Sequence, residues 1–177
     1  MIEAQHTTTV EVPLRRVWDY VVDIGNWAQL MPGLQEFQLI DADNSRWILK
    51  VGVGGMVRTV KVAVHVEEWA GPERARFSFK LEGDPVQGGG TYTAAALGGQ
   101  TEFTLAIQVV GSGPVAPMWE ALGRPVLPTF VKAFAGQLKA KIEENAGGSD
   151  TPATVALPSA RPSLLARLLG WFRKRFG

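Results

Sequence analysis

The sequence predicts an α+β fold in which a strongly curved antiparallel sheet of seven strands wraps around one long helix near the end of the domain. Three observations predict it. Apolar and polar residues alternate from Leu34 to Val110, and Asp43-Asn44, Gly54-Gly55, Gly71-Pro72, Gly83-Asp84-Pro85 and Gly98-Gly99 interrupt the alternation as tight turns do. Residues 114–144 change to three- and four-residue spacing. One strand and two short helical stretches come before the alternating region.

The first strand is expected over His6–Val12, rich in Thr and Val, and it stops at Pro13, a residue suited to the first helical position. Leu14, Val17, Trp18, Val21 and Val22 then repeat at helical spacing, Gly25 breaks the run, and a second short helix carrying Trp27, Leu30 and Met31 ends at Pro32-Gly33. Six strands joined as hairpins follow. Their inward sets include Trp47, Leu49, Val51 and Val53, then Val60, Val62, Val64 and Val66, then Ala75, Phe77, Phe79 and Leu81, and finally Phe103, Leu105, Ile107 and Val109. Lys50, Lys61, Arg76, Lys80, Glu102 and Gln108 fall on the opposite face. Such a sheet needs an apolar cover. The closing helix supplies it through Met118, Leu122, Val126, Phe130, Phe134 or Ala133, Leu138 and Ile142, with Gly123, Pro125 and Pro128 predicting a kinked or irregular first half.

Charge divides the 177 residues differently from the near-neutral total. Five of the 18 basic residues follow residue 150 and none of the 17 acidic ones does, so residues 1–150 carry 13 basic against 17 acidic groups, a formal charge of −4. Residues 163–177 read as a basic amphipathic helix. Leu164, Leu165, Leu168, Leu169, Trp171, Phe172 and Phe176 fall in an arc of roughly 160°, with Arg167, Arg173 and Lys174 opposite and Arg175 among the apolar residues, where it must snorkel. The stretch is too short to span a bilayer and suits an interfacial position on anionic lipid; folding back onto its own domain or onto a partner is the alternative. Residues 145–162, rich in Ala, Pro, Gly, Ser and Thr, read as a flexible tether between a globular unit at 1–144 and this helix. The absence of cysteine excludes disulfide and thiolate chemistry; with no secretory signal in the opening residues and a basic tail suited to the anionic cytoplasmic leaflet, the expected location is the cytoplasmic face of the membrane.

No catalytic constellation emerges. His6 and His65 are far apart and lack metal-ligand spacing, Ser45, Ser78 and Ser112 lie in no nucleophile motif, and the adjacent pairs Glu67-Glu68 and Glu143-Glu144 read as solvated faces. The glycines at 52–55 and 88–90 have no phosphate-loop context, and an acidic body argues against nucleic acid. Gly88-Gly89-Gly90 and Ala94-Ala95-Ala96 remove volume from a strand facing the closing helix, which predicts a pocket or, alternatively, only a sharp bend. Arg58 shares the parity of Val60 and Val62 and is a candidate to point inward at a ligand's polar head; Tyr92 is a second candidate donor.

The element order, the Pro-Gly in QLMPGLQEF, the Gly-rich penultimate strand DPVQGGGTYTAAAL, the hairpin KVGVGGMVRTVKVAV and the long last helix carry a resemblance. Over roughly residues 5–144 the chain resembles the START/Bet v 1-like helix-grip superfamily, and within it the carbon monoxide dehydrogenase CoxG family. The resemblance implies a non-catalytic protein with a hydrophobic cavity between sheet and helix, a membrane-anchoring tail, an isoprenoid quinone (menaquinone or ubiquinone) as cargo, and molybdenum carbon monoxide dehydrogenase as the partner that accepts it. A membrane-recruitment adaptor without cargo and an enzyme of the polyketide cyclase type are the alternatives. The expected lining is Leu30, Met31, Leu34, Phe37, Leu49, Val51, Met56, Arg58, Val60, Val62, Val64, Phe77, Phe79, Tyr92, Phe103, Leu105, Met118, Trp119, Leu122, Val126 and Phe130.

Overall fold

A computed structural model describes residues 1–53 and 55–147. The terminal helix expected at 163–177, with Leu164, Leu165, Arg167, Leu168, Leu169, Trp171, Phe172, Arg173, Lys174, Arg175 and Phe176, lies outside the described residues, as does the expected tether from 148 onward.

The chain runs β1 (Ile2–Val10), α1 (Leu14–Val21), α2 (Ile24–Gln29), β2 (Leu34–Leu39), β3 (Asn44–Val53), β4 (Met56–Ala70), β5 (Arg74–Glu82), β6 (Val86–Leu97), β7 (Gln100–Gly111), a single 3₁₀ turn at Gly113–Val115, and α3 (Ala116–Gly147). All seven strands form one antiparallel sheet in the order β1-β7-β6-β5-β4-β3-β2. The hairpin turns fall where the turn residues predict them. The first strand begins four residues earlier than expected, because Ile2 and Ala4 continue the inward alternation and pair with Val109 and Ile107 of β7. The break between the short helices lies at Val22-Asp23 rather than Gly25: the Asp23 carboxylate accepts from the Gly25 N–H at 2.8 Å and caps α2.

Two differences concern α3. It remains α-helical through Pro125 and Pro128, and the expected irregular half is regular helix. Both prolines are exposed, as are Ala121 and Arg124, whose carbonyls lose their helical donors and turn to water instead. The helix also runs to Gly147, so residues 145–147 belong to it and not to the tether.

The helix lies chiefly over β1 and β7. Val131, Phe134, Ala135, Leu138 and Ile142 are buried there in one core with Val17, Val21, Trp27, Phe103 and Leu105. Because α3 packs closely only against β1 and β7, a gap separates it from the inward residues of β3, β4 and β5. The space left over is the candidate site.

Candidate functional site: an apolar cavity under the closing helix

The cavity has a volume of about 560 Å³, within the range of small-molecule pockets. Its floor is built from Trp47, Leu49 and Val51 of β3, Val60, Val62 and Val64 of β4, and Phe77, Phe79 and Leu81 of β5, all placed inward by strand alternation. Leu105, Ile107 and Val109 of β7 form one wall, and Trp119, Val126, Leu127, Phe130 and Phe134 of α3 form the roof. Ile24 and Trp27 of α2 close one end, and the Met31-Pro32-Gly33 loop with Lys50 and Gly52 forms a rim. A side chamber of about 220 Å³ shares Phe79, Leu81, Val109, Trp119, Val126, Leu127 and Phe130 with it and reaches Ile2 and Val86. Of the described residues lining the larger cavity Lys50 alone is charged, and strand alternation turns its side chain to the outer face; Glu120 borders the side chamber.

The glycine run has a specific role in shaping this space. Gly88 and Gly90 pair with Phe79 and Phe77, and a side chain at either position would collide with the facing phenyl ring. The two rings lie flat over bare backbone instead of standing up into the cavity, which keeps it open. Gly33 has φ +79°, and a side chain there would strike the Lys50 carbonyl, so the rim loop can hug β3 only with glycine. Its carbonyl accepts from the Lys50 N–H at 2.8 Å.

Trp27 separates cavity from core. Its indole N–H donates to the Val21 carbonyl at 2.7 Å, and its ring centroid lies 5.9 Å from Phe77, 6.0 Å from Tyr92 and 5.9 Å from Phe134. Tyr92 sits on the core side. It is fully buried, its hydroxyl has no hydrogen-bond partner among the described residues, and burial pushes its phenol pKa up.

Of the expected lining residues, the structure brings Met31, Leu49, Val51, Val60, Val62, Val64, Phe77, Phe79, Leu105, Trp119, Val126 and Phe130 together on the cavity wall. The other expected lining residues are placed elsewhere. Leu30, Tyr92 and Phe103 are buried in the core, and Leu34 and Phe37 pack against it from β2. Met118 and Leu122 are exposed, because their seam on α3 is rotated off the covered face. Arg58 does not enter the cavity: its guanidinium donates to the Asp84 carboxylate at 2.9 Å at the exposed rim. Met56 lies in β4, and its side chain is not among those described. Sequence reasoning missed Ile24, Trp27, Trp47, Leu81, Ile107, Val109, Leu127 and Phe134 as lining.

His65, on the outer face, meets Asn44 at 2.9 Å, and Arg76 reaches Glu67 at 3.2 Å. Among the described residues no group of three or more His, Cys, Asp and Glu is placed to hold a metal ion. What the site offers is a concave, almost wholly apolar surface, suited to enclosing a hydrophobic molecule through dispersion and the release of water.

Comparison with known proteins agrees with this geometry. The family model described as polyketide cyclase/dehydrase and lipid transport matches residues 1–143. The chain belongs to this family. A search of curated proteins returns no match. Among solved structures, a conserved protein from Geobacillus kaustophilus superposes with TM-score 0.70 at 16% identity, covering 81% of this chain and 97% of that one. A START superfamily protein from Mycobacterium smegmatis gives TM-score 0.59 at 16% identity over 81% and 98% of the two chains. The Zhui aromatase/cyclase from a Streptomyces species gives TM-score 0.56 at 18% identity over 80% and 95%. At these identities the likeness establishes the helix-grip fold.

Proposed function

We propose that this protein is a membrane-tethered carrier of a lipophilic small molecule, an isoprenoid quinone, which it takes from the cytoplasmic face of the membrane and presents to molybdenum carbon monoxide dehydrogenase. The carrying observation is the 560 Å³ apolar cavity, whose charged lining is confined to Lys50 at the rim. A family that embraces lipid transport supports a hydrophobic ligand. The quinone and its partner enzyme rest on the resemblance of QLMPGLQEF and KVGVGGMVRTVKVAV to the CoxG family, and the membrane on the basic amphipathic pattern of residues 163–177. Among the described residues no helix is long and apolar enough to cross a membrane.

At a water-sized share of about 30 Å³ per heavy atom, the cavity holds roughly 20 heavy atoms. That accommodates a quinone ring with one prenyl unit. A longer chain leaves past Val126, which is both wall and exposed surface. Enclosing about 20 atoms at about 0.3 kcal/mol each gives roughly 6 kcal/mol, enough for loading and too little for permanent retention. Redox chemistry in this account belongs to the dehydrogenase, and the protein supplies binding and transport. The likeness to an aromatase/cyclase favours a second reading, an enzyme on the same fold, which would need a proton donor and acceptor facing the substrate.

Extraction tests the proposal: the protein is mixed with quinone-loaded vesicles, the vesicles are sedimented, and quinone is assayed in the supernatant. Quinone is expected to remain with soluble protein truncated after Gly147 and to be reduced on adding the dehydrogenase and carbon monoxide. Recruitment of the dehydrogenase to vesicles with no quinone extracted would replace the carrier with the cargo-free adaptor.

A further inference from the structure

The space under α3 has two parts of unequal size. The larger, of about 560 Å³, ends at Trp27 and Phe134, and the side chamber, of about 220 Å³, ends at Ile2, Val86 and Gly123. Phe134 and Gly123 are eleven residues apart on α3, so the combined roof runs about 16 Å along the helix. Trp119, Val126 and Leu127 border both parts, which makes them one continuous space with a wide end and a narrow end. A methyl group at Gly123 would strike the Ile2 side chain; glycine there lets α3 close over β1 at the narrow end. Glu120 stands at the border of this chamber, where its carboxylate accepts from the Met1 ammonium, and the other described border residues are apolar.

The two volumes sort the parts of a ligand. At about 30 Å³ per heavy atom the wide end holds roughly 20 atoms and the narrow end roughly 7. A substituted quinone ring, at about 13 heavy atoms or about 390 Å³, fits only the wide end and leaves room there for one five-carbon prenyl unit. A second unit of five carbons matches the narrow end, and a third finds no enclosed space. A compact fused-ring molecule would leave the narrow end empty.

We propose that the side chamber is a subsite for a slender hydrocarbon chain, and that it encloses the second prenyl-sized unit of a ligand whose ring fills the space beside Trp27. The subsite rests on the carrier reading, which it deepens by fixing the class of the ligand, a wide ring bearing an apolar chain. It also fixes the orientation, with the ring toward Trp27 and the chain toward Gly123. Chain beyond the second unit emerges beside Val126, which borders both chambers and is 60% exposed. Enclosing five carbons strengthens binding about tenfold at the efficiency usual for drug-sized ligands, whereas units left in water add little. The affinity of the protein for a prenylated ring therefore rises from one unit to two and then levels off.

Native mass spectrometry of the full chain reads this step directly. The protein is mixed with equal amounts of methyl-naphthoquinones bearing one, two or three prenyl units, and in parallel with the matching prenylnaphthalenes, which lack both carbonyls. The two-unit complex is expected to exceed the one-unit complex about tenfold, and the three-unit complex to exceed the two-unit one by less than about twofold. Val86→Phe adds four carbons, about 120 Å³, at the narrow end and is expected to bring the one- and two-unit complexes within about twofold of each other. A two-unit naphthoquinone with a diazirine at its chain end locates the chain in the unaltered protein, whatever the fate of that variant. Cross-links are expected at Ile2, Val86 or Gly123. Cross-links at Ile24, Trp27 or Phe134, equal binding of all three lengths, or a rise that continues undiminished through the third unit overturns the proposal. The same step in the naphthalenes without binding of the quinones removes the quinone and keeps the subsite. Quinone binding with no step removes the subsite and keeps the carrier, and protein that binds neither series overturns both.

Discussion

Filling the cavity from its floor separates an open binding space from an ordinary core. Val60 and Val62 stand two residues apart on β4 and both line it. Val60→Phe with Val62→Phe adds eight carbons, or about 240 Å³ at about 30 Å³ each, which removes over two fifths of the 560 Å³. In an open cavity each ring gains up to about 1 kcal/mol of apolar burial, offset by lost rotamer freedom, so the pair should leave stability within about 2 kcal/mol of the parent. In a packed interior the same change would cost about 1 to 3 kcal/mol per site. Eight displaced ligand atoms at about 0.3 kcal/mol each remove about 2.4 kcal/mol, a roughly 50-fold loss of affinity. Urea unfolding gives the first quantity, from the midpoint at constant m, and titration with a short-chain quinone gives the second. Destabilisation beyond about 3 kcal/mol, or undiminished quinone binding by a folded double variant, would refute the reasoning.

The remaining predictions address single features. Tyr92→Phe removes a buried hydroxyl with no described partner and should raise stability by about 1 kcal/mol, or a few degrees in Tm; a fall would mean that the hydroxyl is satisfied in solution. Because burial raises the folded-state phenol pKa, the Tyr92 contribution is intact below the ordinary value of about 10 and declines as pH rises above it. The alkaline loss of stability should therefore be shallower in the Phe variant. Gly90→Val should destabilise by about 1 to 3 kcal/mol despite the better strand propensity of valine, since its Cβ meets the Phe77 ring and the Ala106 carbonyl; an unchanged urea midpoint would show that Phe77 does not rest on bare backbone. Arg58→Ala should cost at most about 1 kcal/mol and leave quinone affinity unchanged, because Arg58 is paired with Asp84 and is not among the residues lining the cavity. A large loss of affinity on that change would restore Arg58 to the site.

The strands were legible because each turn announces itself in glycine, proline or Asx residues and each strand keeps strict parity. Parity identifies a face but cannot tell wall from core: Phe77 borders open space, whereas Phe103 is fully buried. That difference is set by α3 leaning over β1 and β7, a tertiary choice with no local signal. Trp47, Leu81, Ile107 and Val109 were readable as inward, and only their place beside the cavity was not. On α3 the error is geometric. A run of four-residue steps drifts about 40° per step, so tracing Phe130 back through Val126 and Leu122 to Met118 leaves the buried seam, which instead passes through Val131, Leu127 and Trp119. Two exposed prolines on the far side of that seam explain why the helix continues where breaker residues predicted an irregular segment.

Whether the cavity carries a lipophilic molecule is tested most directly by native mass spectrometry with solvent extraction, on protein purified from membrane-containing cells. An isoprenoid quinone bound at close to one per chain, and displaced in the Val60→Phe/Val62→Phe variant, is the expected result. Folded protein that yields no quinone or other lipid, and takes none up from loaded vesicles, would contradict the carrier.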